Sequence, residues 1–367
     1  MKGLIDSTLR EGSQTFGLTF SQARKKAIFA GLCRVGIEEI EIGVATPLND
    51  DLSELIQFCR AYDPERKLAL WSRCRSDDIR FAAELAPDVI SLSIPVSDLN
   101  LEKKLGRDRK WALAAAGDAI TETRQFGFRK VSLGLEDSTR ADRSFLQEMI
   151  ETAIGAGVDR LRLADTVGIA SPLEITDLVQ AIKAIGPVEV GLHAHNDFGL
   201  ATANSLAALD AGAEWADATV LGLGERAGNA RLEELAGYLA LRRGSGYRLD
   251  SMVELAKSVA AMSGRTVSPH APVIGERIFY CETGLHLQGL KKDATTYEPF
   301  PPESVGAIRN LHFGSKIGRK EILACLQGMK INPAKFDITD IARKARRKAE
   351  ETGRSLQRGE LLAIVNS

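Results

Sequence analysis

Short apolar runs alternate along this chain with longer stretches in which apolar residues recur at helical spacing. Each run is typical of a buried strand and is followed by a pattern that predicts a helix, which is the order of parallel βαβ units. Eight such units favour a closed (β/α)8 barrel over an open doubly wound sheet. The predicted strands are Leu4–Asp6, Ile37–Gly43, Lys67–Ser72, Asp88–Pro95, Lys130–Glu136, Arg160–Asp165, Val188–His195 and Asp217–Leu221.

The strand–helix alternation stops near Arg242. Residues 250–264 predict a further helix, Pro269 and Pro272 indicate a linker, and the tail from Asp340 to Val365 is helical in pattern. The chain is therefore predicted to hold two domains, a catalytic α/β barrel over residues 1–265 and a small, mostly helical C-terminal subdomain over 266–367.

The composition limits the classes of binding partner that we expect. The 48 lysines and arginines balance 49 aspartates and glutamates, which favours neither nucleic acid nor an anionic membrane. The cluster Arg343–Lys348 is interpreted as a solvated helix face. The five cysteines have no metal-type spacing, and the sequence holds no apolar run of membrane length. We expect a reducing, cytoplasmic setting and small polar substrates.

Polar residues follow most of the predicted strands. In a barrel of parallel strands the carboxyl ends share one rim, where such residues converge on a site. The residues at these ends are Asp6, Arg10, Glu11, Glu41, Arg73, Arg75, Ser93, Glu136, Asp137, Asp165, Thr166, His193, His195, Glu225 and Arg226.

His193 and His195 are the strongest candidates for chemistry. Residues two apart on a strand share a face, so both imidazoles can bind one divalent cation. A carboxylate from Glu11 or Asp6 would complete a site suited to Mg²⁺, Mn²⁺ or Zn²⁺. Arg10 beside such a cation could polarise a carbonyl or stabilise an enolate; the alternative is a surface ion pair.

The segment Gly222–Asn229 superficially satisfies a dinucleotide-binding fingerprint. That fingerprint requires a second strand ending in an acidic residue about 20 positions on, whereas here the pattern continues as a helix. The glycines are therefore interpreted as sites of close backbone packing at the rim, with the Asn229 amide oxygen available to metal or substrate.

Five motifs in order carry a family resemblance. They are Asp6-Ser-Thr-Leu-Arg-Glu-Gly12, Glu136-Asp-Ser138, Ala164-Asp-Thr-Val-Gly168, His193-Ala-His-Asn-Asp197 and Gly224-Glu-Arg-Ala-Gly-Asn229. Over residues 3–310 the chain resembles the acyl-CoA-using metallolyase barrels, which include 2-isopropylmalate, citramalate and homocitrate synthases and hydroxymethylglutaryl-CoA lyases.

The resemblance implies a role for each matching residue. Glu11, His193 and His195 would bind the metal with Asn229 close by, and Arg10 would contact the substrate carbonyl and the developing enolate. Gln14, Glu136 and Thr166 would surround a 2-oxoacid. His286 would help to deprotonate the methyl group of acetyl-CoA, together with Glu136, and would reach the barrel of the partner subunit in a homodimer.

Within the family the chain is most similar to homocitrate synthases of the short nitrogen-fixation type. Glu11 occurs in them where many relatives carry aspartate, and 367 residues leave no room for an additional feedback domain. The pattern departs from the family at Gly314-Ser-Lys-Ile-Gly318, which replaces a Gly-Lys-His-Ser-Gly-like motif, and in lacking an aromatic hydroxyl near Arg309. Arg75 stands where yeast-like homocitrate synthases have a histidine facing the distal carboxylate, which a guanidinium can bind.

The expected reaction is a metal-dependent Claisen condensation of acetyl-CoA with a 2-oxoacid, foremost 2-oxoglutarate, giving homocitrate and CoA for a nitrogenase cofactor or for lysine synthesis. Three alternatives remain open. One is a synthase of the same family that forms citramalate, citrate of the Re type or 2-isopropylmalate. The second is a carbon–carbon lyase similar to hydroxymethylglutaryl-CoA lyase, and the third is a non-catalytic metal-binding barrel.

Overall fold

The computed structural model of the chain describes residues 1–282, 286, 289–290 and 292–366. It divides into two compact units, Met1–Val267 and Ser268–Ser367. Among the described residues no helix is both long and apolar enough to cross a membrane.

The first unit is a closed barrel of eight parallel strands in chain order, in which β1 pairs with both β2 and β8. The predicted barrel is therefore confirmed. Its strands are Gly3–Asp6 (β1), Glu39–Val44 (β2), Lys67–Arg73 (β3), Val89–Pro95 (β4), Lys130–Glu136 (β5), Arg160–Asp165 (β6), Glu189–Ala194 (β7) and Trp215–Ala218 (β8).

A helix follows each strand, and local signals set the helix ends. Ser171 and Glu174 form a capping box at one N-terminus, with a proline at the first helical position. Gly36 and Gly157 end two others with φ of 98° and 97°. The helices are Gln22–Val35 (α1), Leu52–Tyr62 (α2), Ser76–Leu85 (α3), Arg109–Gln125 (α4), Arg143–Ala156 (α5), Pro172–Lys183 (α6), Ala201–Asp210 (α7), Leu232–Arg243 (α8) and Leu249–Ser263 (α9).

The eighth strand departs most from its predicted bounds, Asp217–Leu221, whereas the bounds of the other seven agree within two residues. It ends at Ala218, and the apolar residues that follow form a turn over Val220–Gly222 in which Leu221 has a φ of 59°. Leu221 is nonetheless buried. A buried turn and a buried strand have the same hydrophobic pattern, so the pattern extended the strand too far.

Glu233 on α8 hydrogen-bonds to the backbone of this turn. Its carboxylate accepts a hydrogen bond of 2.9 Å from the Leu221 N–H, while its other oxygen has no hydrogen-bond partner in the described part of the chain. Burial raises the pKa of Glu233 to about 7, against the pull of the backbone donors and of Arg231. In the folded barrel this carboxyl group therefore keeps its proton to a higher pH than an ordinary glutamate does.

We expect Glu233→Gln to stabilise the barrel at pH 8 but not at pH 4. The pKa of Glu233 is about 7 in the folded protein, above the ordinary value of 4.5. The free energy of unfolding of the wild type therefore falls as the pH rises from 4.5 to about 7. Glutamine keeps the acceptor for Leu221 and cannot ionise, which should add roughly 1–3 kcal/mol at pH 8. Thermal unfolding of both proteins at the two pH values measures the difference, and an equal shift at both would contradict the assignment.

The described part of the second unit includes the helices Arg319–Gly328 (α10), Ile338–Thr352 (α11) and Arg358–Val365 (α12) and a small parallel pairing of Tyr280–Cys281 (β9) and Asn310–Leu311 (β10). The predicted helical tail is two helices, because Gly353 ends α11 with a φ of 64°. Their core contains Phe313, Ile317, Ile322, Leu326, Ile341, Ala345, Leu356 and Leu361.

Candidate active site

Three side chains from two segments of the barrel form a candidate metal centre. Glu11 lies in the loop after β1, and His193 and His195 lie at the end of β7. Their possible ligand atoms all lie within 4.8 Å of one another, and all three residues are buried. The Nε2 atoms of His193 and His195 lie 4.0 and 3.9 Å from the two carboxylate oxygens of Glu11. Glu11, rather than Asp6, is the carboxylate that faces the histidines.

The surroundings keep both imidazoles neutral, as metal ligation requires. Burial lowers the pKa of His193, although Asp217 opposes the shift. Burial, followed by His193 and Arg226, lowers the pKa of His195 to about 2. His193 Nδ1 lies 2.9 Å from an Asp217 oxygen. A proton on Nδ1 leaves the lone pair of Nε2 directed towards Glu11.

Asn229 presents an unused oxygen beside this centre. Its backbone forms an isolated bridge with that of His195. Its amide nitrogen donates to the Leu223 carbonyl at 2.9 Å, whereas its buried Oδ1 has no hydrogen-bond partner among the described residues. A buried acceptor without a donor is costly, and a cation would satisfy it.

Two glycines allow the loop after β8 to bring Asn229 in. A Cβ on Gly224 would lie 2.1 Å from the Asn229 amide nitrogen, and a Cβ on Gly228 would lie 1.9 Å from the Gly222 carbonyl oxygen. Both have positive φ, at 156° and 89°. The glycine-rich segment is used for close backbone packing at the rim, as the sequence indicated.

Arg10 is a buried residue rather than part of a surface ion pair. It is 7% exposed, its Nε donates to Glu41 at 2.6 Å and its Nη1 contacts Glu11. Burial opposes ionisation of Glu41, but Arg10 and Arg162 outweigh it and lower the pKa of that carboxyl group. Glu41 lies beside a register irregularity between β2 and β3, the kind of feature that re-aims a side chain at a barrel rim.

A cavity of about 250 Å³ opens beside these groups. Seven predicted site residues line it, namely Arg10, Glu11, Gln14, Glu136, Thr166, His193 and His195. Three further residues of the predicted rim also line it, namely Ser93, Glu225 and Arg226. The sequence analysis did not single out the remaining lining residues, which are Trp71, Ser91, Lys104, Gly134, Arg162 and Ala164.

Hydrogen bonds hold two of the lining residues, Glu136 and Thr166, in place. Lys104 contacts a Glu136 oxygen at 2.6 Å, and Asn100 donates to the same oxygen at 3.3 Å. The Thr166 hydroxyl oxygen accepts the backbone N–H of Asp137 at 2.8 Å. Glu136 is therefore a cavity carboxylate with a cation already beside it.

Two predicted site residues lie elsewhere in the chain. Arg75 is exposed at the N-cap of α3 and is not among the residues lining the cavity. His286 is an exposed residue of the second unit; Thr283–Leu285, which precede it in its motif, lie outside the described residues.

The second unit supplies an aromatic hydroxyl that the sequence analysis missed. The Tyr297 ring lies 4.2 Å from the His286 ring, centroid to centroid. The neighbouring Glu298 accepts bonds of 2.5 and 2.6 Å from Arg309. Tyr297, 12 positions before Arg309 in the sequence, thus places an aromatic ring beside His286 and lies next to the residue that pairs with Arg309. In the sequence, the available signal for this hydroxyl was the tyrosine of the segment Thr296-Tyr-Glu298, which follows the histidine motif.

Comparisons with known proteins agree with this architecture. Residues 3–262 match the HMGL-like family, and residues 273–353 match the homocitrate synthase post-HMGL domain-like family. The chain therefore belongs to the HMGL-like family and is an enzyme, which confirms the predicted resemblance.

Relatives of high similarity are synthases. The chain is 41% identical to homocitrate synthase of Frankia alni, over 88% of this chain and 92% of that protein. It is 37% identical to 2-isopropylmalate synthase 2 of Caldanaerobacter subterraneus, over 87% and 83%. It is 35% identical to 2-phosphonomethylmalate synthase of Streptomyces rubellomurinus, over 99% and 97%. The solved hydroxymethylglutaryl-CoA lyase of Bacillus subtilis shares the fold, with a TM-score of 0.65 at 20% identity over 72% of this chain and 95% of that one.

Proposed function

We propose that this enzyme catalyses a metal-dependent Claisen condensation of acetyl-CoA with 2-oxoglutarate, giving homocitrate and CoA. The observation that carries the proposal is the Glu11–His193–His195 cluster, which lies beside a buried arginine in a cavity of substrate size. Neutral imidazoles, a carboxylate and the Asn229 oxygen, which no described residue hydrogen-bonds, suit Mg²⁺, Mn²⁺ or Zn²⁺. A cation held there would act as a Lewis acid on the 2-oxo group.

Arg10 would stabilise negative charge that develops on oxygen during the reaction. Its Nε and Nη1 groups face Glu41 and Glu11, so we assign the donors on Nη2 to the substrate. A guanidinium fixed by two carboxylates is preorganised, and it needs no rearrangement when the oxyanion forms.

His286 is the proposed base, with Tyr297 as its partner in proton transfer. An imidazole can take a methyl proton of acetyl-CoA, and the phenol in contact with it can orient the ring and relay the proton. The resulting enolate attacks the 2-oxo carbon, and water then cleaves the thioester. Glu136 lines the cavity as a second carboxylate near the reacting groups. We further propose that His286 serves the barrel of the partner in a homodimer.

The lining of the cavity favours an acidic substrate. The lining is largely charged, with the cations Arg10, Lys104, Arg162 and Arg226 beside the carboxylates Glu11, Glu136 and Glu225. A 2-oxodicarboxylic acid suits this surface better than 2-oxoisovalerate, whose side chain is apolar. A second candidate is 3-phosphonopyruvate, the 2-oxoacid that corresponds to 2-phosphonomethylmalate, because that relative matches along almost the whole chain.

A panel of 2-oxoacids with acetyl-CoA tests the substrate. Release of free thiol would be followed with 2-oxoglutarate, pyruvate, oxaloacetate, 2-oxoisovalerate and 3-phosphonopyruvate, with chelator-treated protein as the control. We expect the highest kcat/KM with 2-oxoglutarate. A higher value with another acid would reassign the substrate, whereas thiol release with none of them would reject the synthase.

Replacing Arg10 by lysine should lower kcat by about 10²-fold with little change in KM, because lysine keeps the charge but loses the fork that fixes the oxyanion donors. Arg73→Lys is the matched control. Arg73 is an exposed arginine at the end of β3 that pairs with Asp78 at 2.6 Å. Steady-state kinetics of both variants decide the point, and a normal kcat for Arg10→Lys would remove Arg10 from the mechanism.

A further inference from the structure

A continuous chain of ion pairs connects the two ends of the candidate site inside the barrel. Asp217 Oδ2 lies 2.9 Å from His193 Nδ1 and also accepts from Arg162. Arg162 Nη1 in turn donates to Glu41 Oε1 at 2.8 Å. Glu41 Oε2 then accepts from Arg10 Nε at 2.6 Å.

Arg162 is the central residue of this series of ion pairs, since it contacts both carboxylates. It projects from β6, whereas Glu41 lies on β2 and Asp217 on β8. All three residues are buried, with exposed fractions of 3%, 0% and 2% for Arg162, Glu41 and Asp217. A planar guanidinium can hold two carboxylates at fixed angles, which an ammonium cannot do.

We propose that Arg162 is a positioning residue that sets the metal affinity of the site and the orientation of Arg10. One arm holds Asp217 against His193, which fixes the tautomer and ring orientation that direct Nε2 towards Glu11. The other arm holds Glu41 against Arg10. The second arm rests on the proposed function, since Arg10 matters only if an oxyanion forms; the first concerns metal binding alone.

The chain supplies a matched control two residues earlier on the same strand. Arg160 is also buried and donates to Glu39 at 2.9 and 2.6 Å, with its guanidinium 5.1 Å from the centroid of the Trp215 ring. Glu39 likewise lies two residues before Glu41 on β2. Arg162 lines the cavity and Arg160 does not. The Arg160–Glu39 and Arg162–Glu41 pairs therefore have the same chemistry at two levels of the barrel. Of the two pairs, the Arg162–Glu41 pair is the one that connects to the candidate site.

Metal titration of the full chain, with no substrate present, tests the first arm. Chelator-treated Arg162→Met, Arg162→Lys and Arg160→Met would each be titrated with Co²⁺ by calorimetry and by visible absorption. We expect Arg162→Met to weaken binding by about 10- to 100-fold and to alter the Co²⁺ spectrum, the scale of losing an outer-shell partner. Arg162→Lys should lose less, and Arg160→Met should bind as the wild type does.

Thermal unfolding of the variants separates positioning from general damage. If Arg162→Met does not fold, Arg162→Lys alone decides the question against Arg160→Met. A folded Arg162 variant with wild-type Co²⁺ affinity and spectrum, or with higher affinity, would overturn the proposal. Equal weakening by Arg160→Met would also overturn it.

The second arm has a separate readout. At saturating metal, Arg162→Lys should still show a lower kcat in the thiol assay, because Glu41 no longer clamps Arg10. A normal kcat at saturating metal would reject that arm. If the wild type turns over no 2-oxoacid but the Arg162 variants still lose metal affinity, the proposed function is wrong and the positioning role stands.

Discussion

Replacing His193 or His195 by alanine will abolish metal binding and turnover together. The two imidazoles and Glu11 are the donors whose atoms converge within 4.8 Å, and a site left with two protein donors loses both affinity and geometry. Because burial keeps the imidazoles neutral, no second proton competes with the metal for their free nitrogen atoms at neutral pH.

Metal analysis of purified protein, together with the thiol assay, measures the effect. Both histidines are buried, so glutamine variants are included to avoid leaving a cavity. His270→Ala is the matched control, since it removes an exposed imidazole from the second unit. Full metal occupancy in a folded His193 variant and in a folded His195 variant would eliminate this site.

Mixing two inactive variants should restore activity if the active site is shared between subunits. A His193→Ala chain retains His286, and a His286→Ala chain retains the metal ligands. Random pairing makes half of the dimers mixed, and one of the two sites in each is intact, so about a quarter of wild-type activity should return.

The experiment requires proof that the subunits exchange, from two affinity tags recovered together. Each variant must also be folded, as judged by its thermal unfolding. If demonstrably mixed dimers show no complementation, His286 serves its own barrel or takes no part in catalysis.

A variant of Tyr297 extends the same test. If the two rings act together, Tyr297→Phe mixed with His193→Ala should show the same complementation pattern as His286→Ala does.

The fold was predictable because the barrel repeats one unit eight times. Each strand–helix unit has its own hydrophobic signature, so an error at one strand, as at Leu221, leaves the count intact. The convergence of Glu11, His193 and His195 in the candidate metal centre was predictable for a similar local reason. The two histidines are two apart at the end of one strand, and Glu11 follows shortly after another.

The ion pairs inside the barrel were not predictable in the same way. Glu41, Arg162 and Asp217 come from strands far apart in sequence, and a charged residue within a strand gives no signal of its partner. The contact of Tyr297 with His286 depends on the fold of the second unit, which has no repeating pattern. Arg75 shows the converse case, since a residue at a strand end need not line the cavity that the strand approaches.

Product identification by mass tests the central claim most directly. The enzyme would be incubated with metal, 2-oxoglutarate and acetyl-CoA carrying two ¹³C atoms in its acetyl group, beside chelator-treated and His195→Ala controls. We predict homocitrate that contains both labelled carbons, formed together with free CoA and absent from both controls. Labelled acetate with unchanged 2-oxoglutarate, or no labelled product at all, would contradict the condensation.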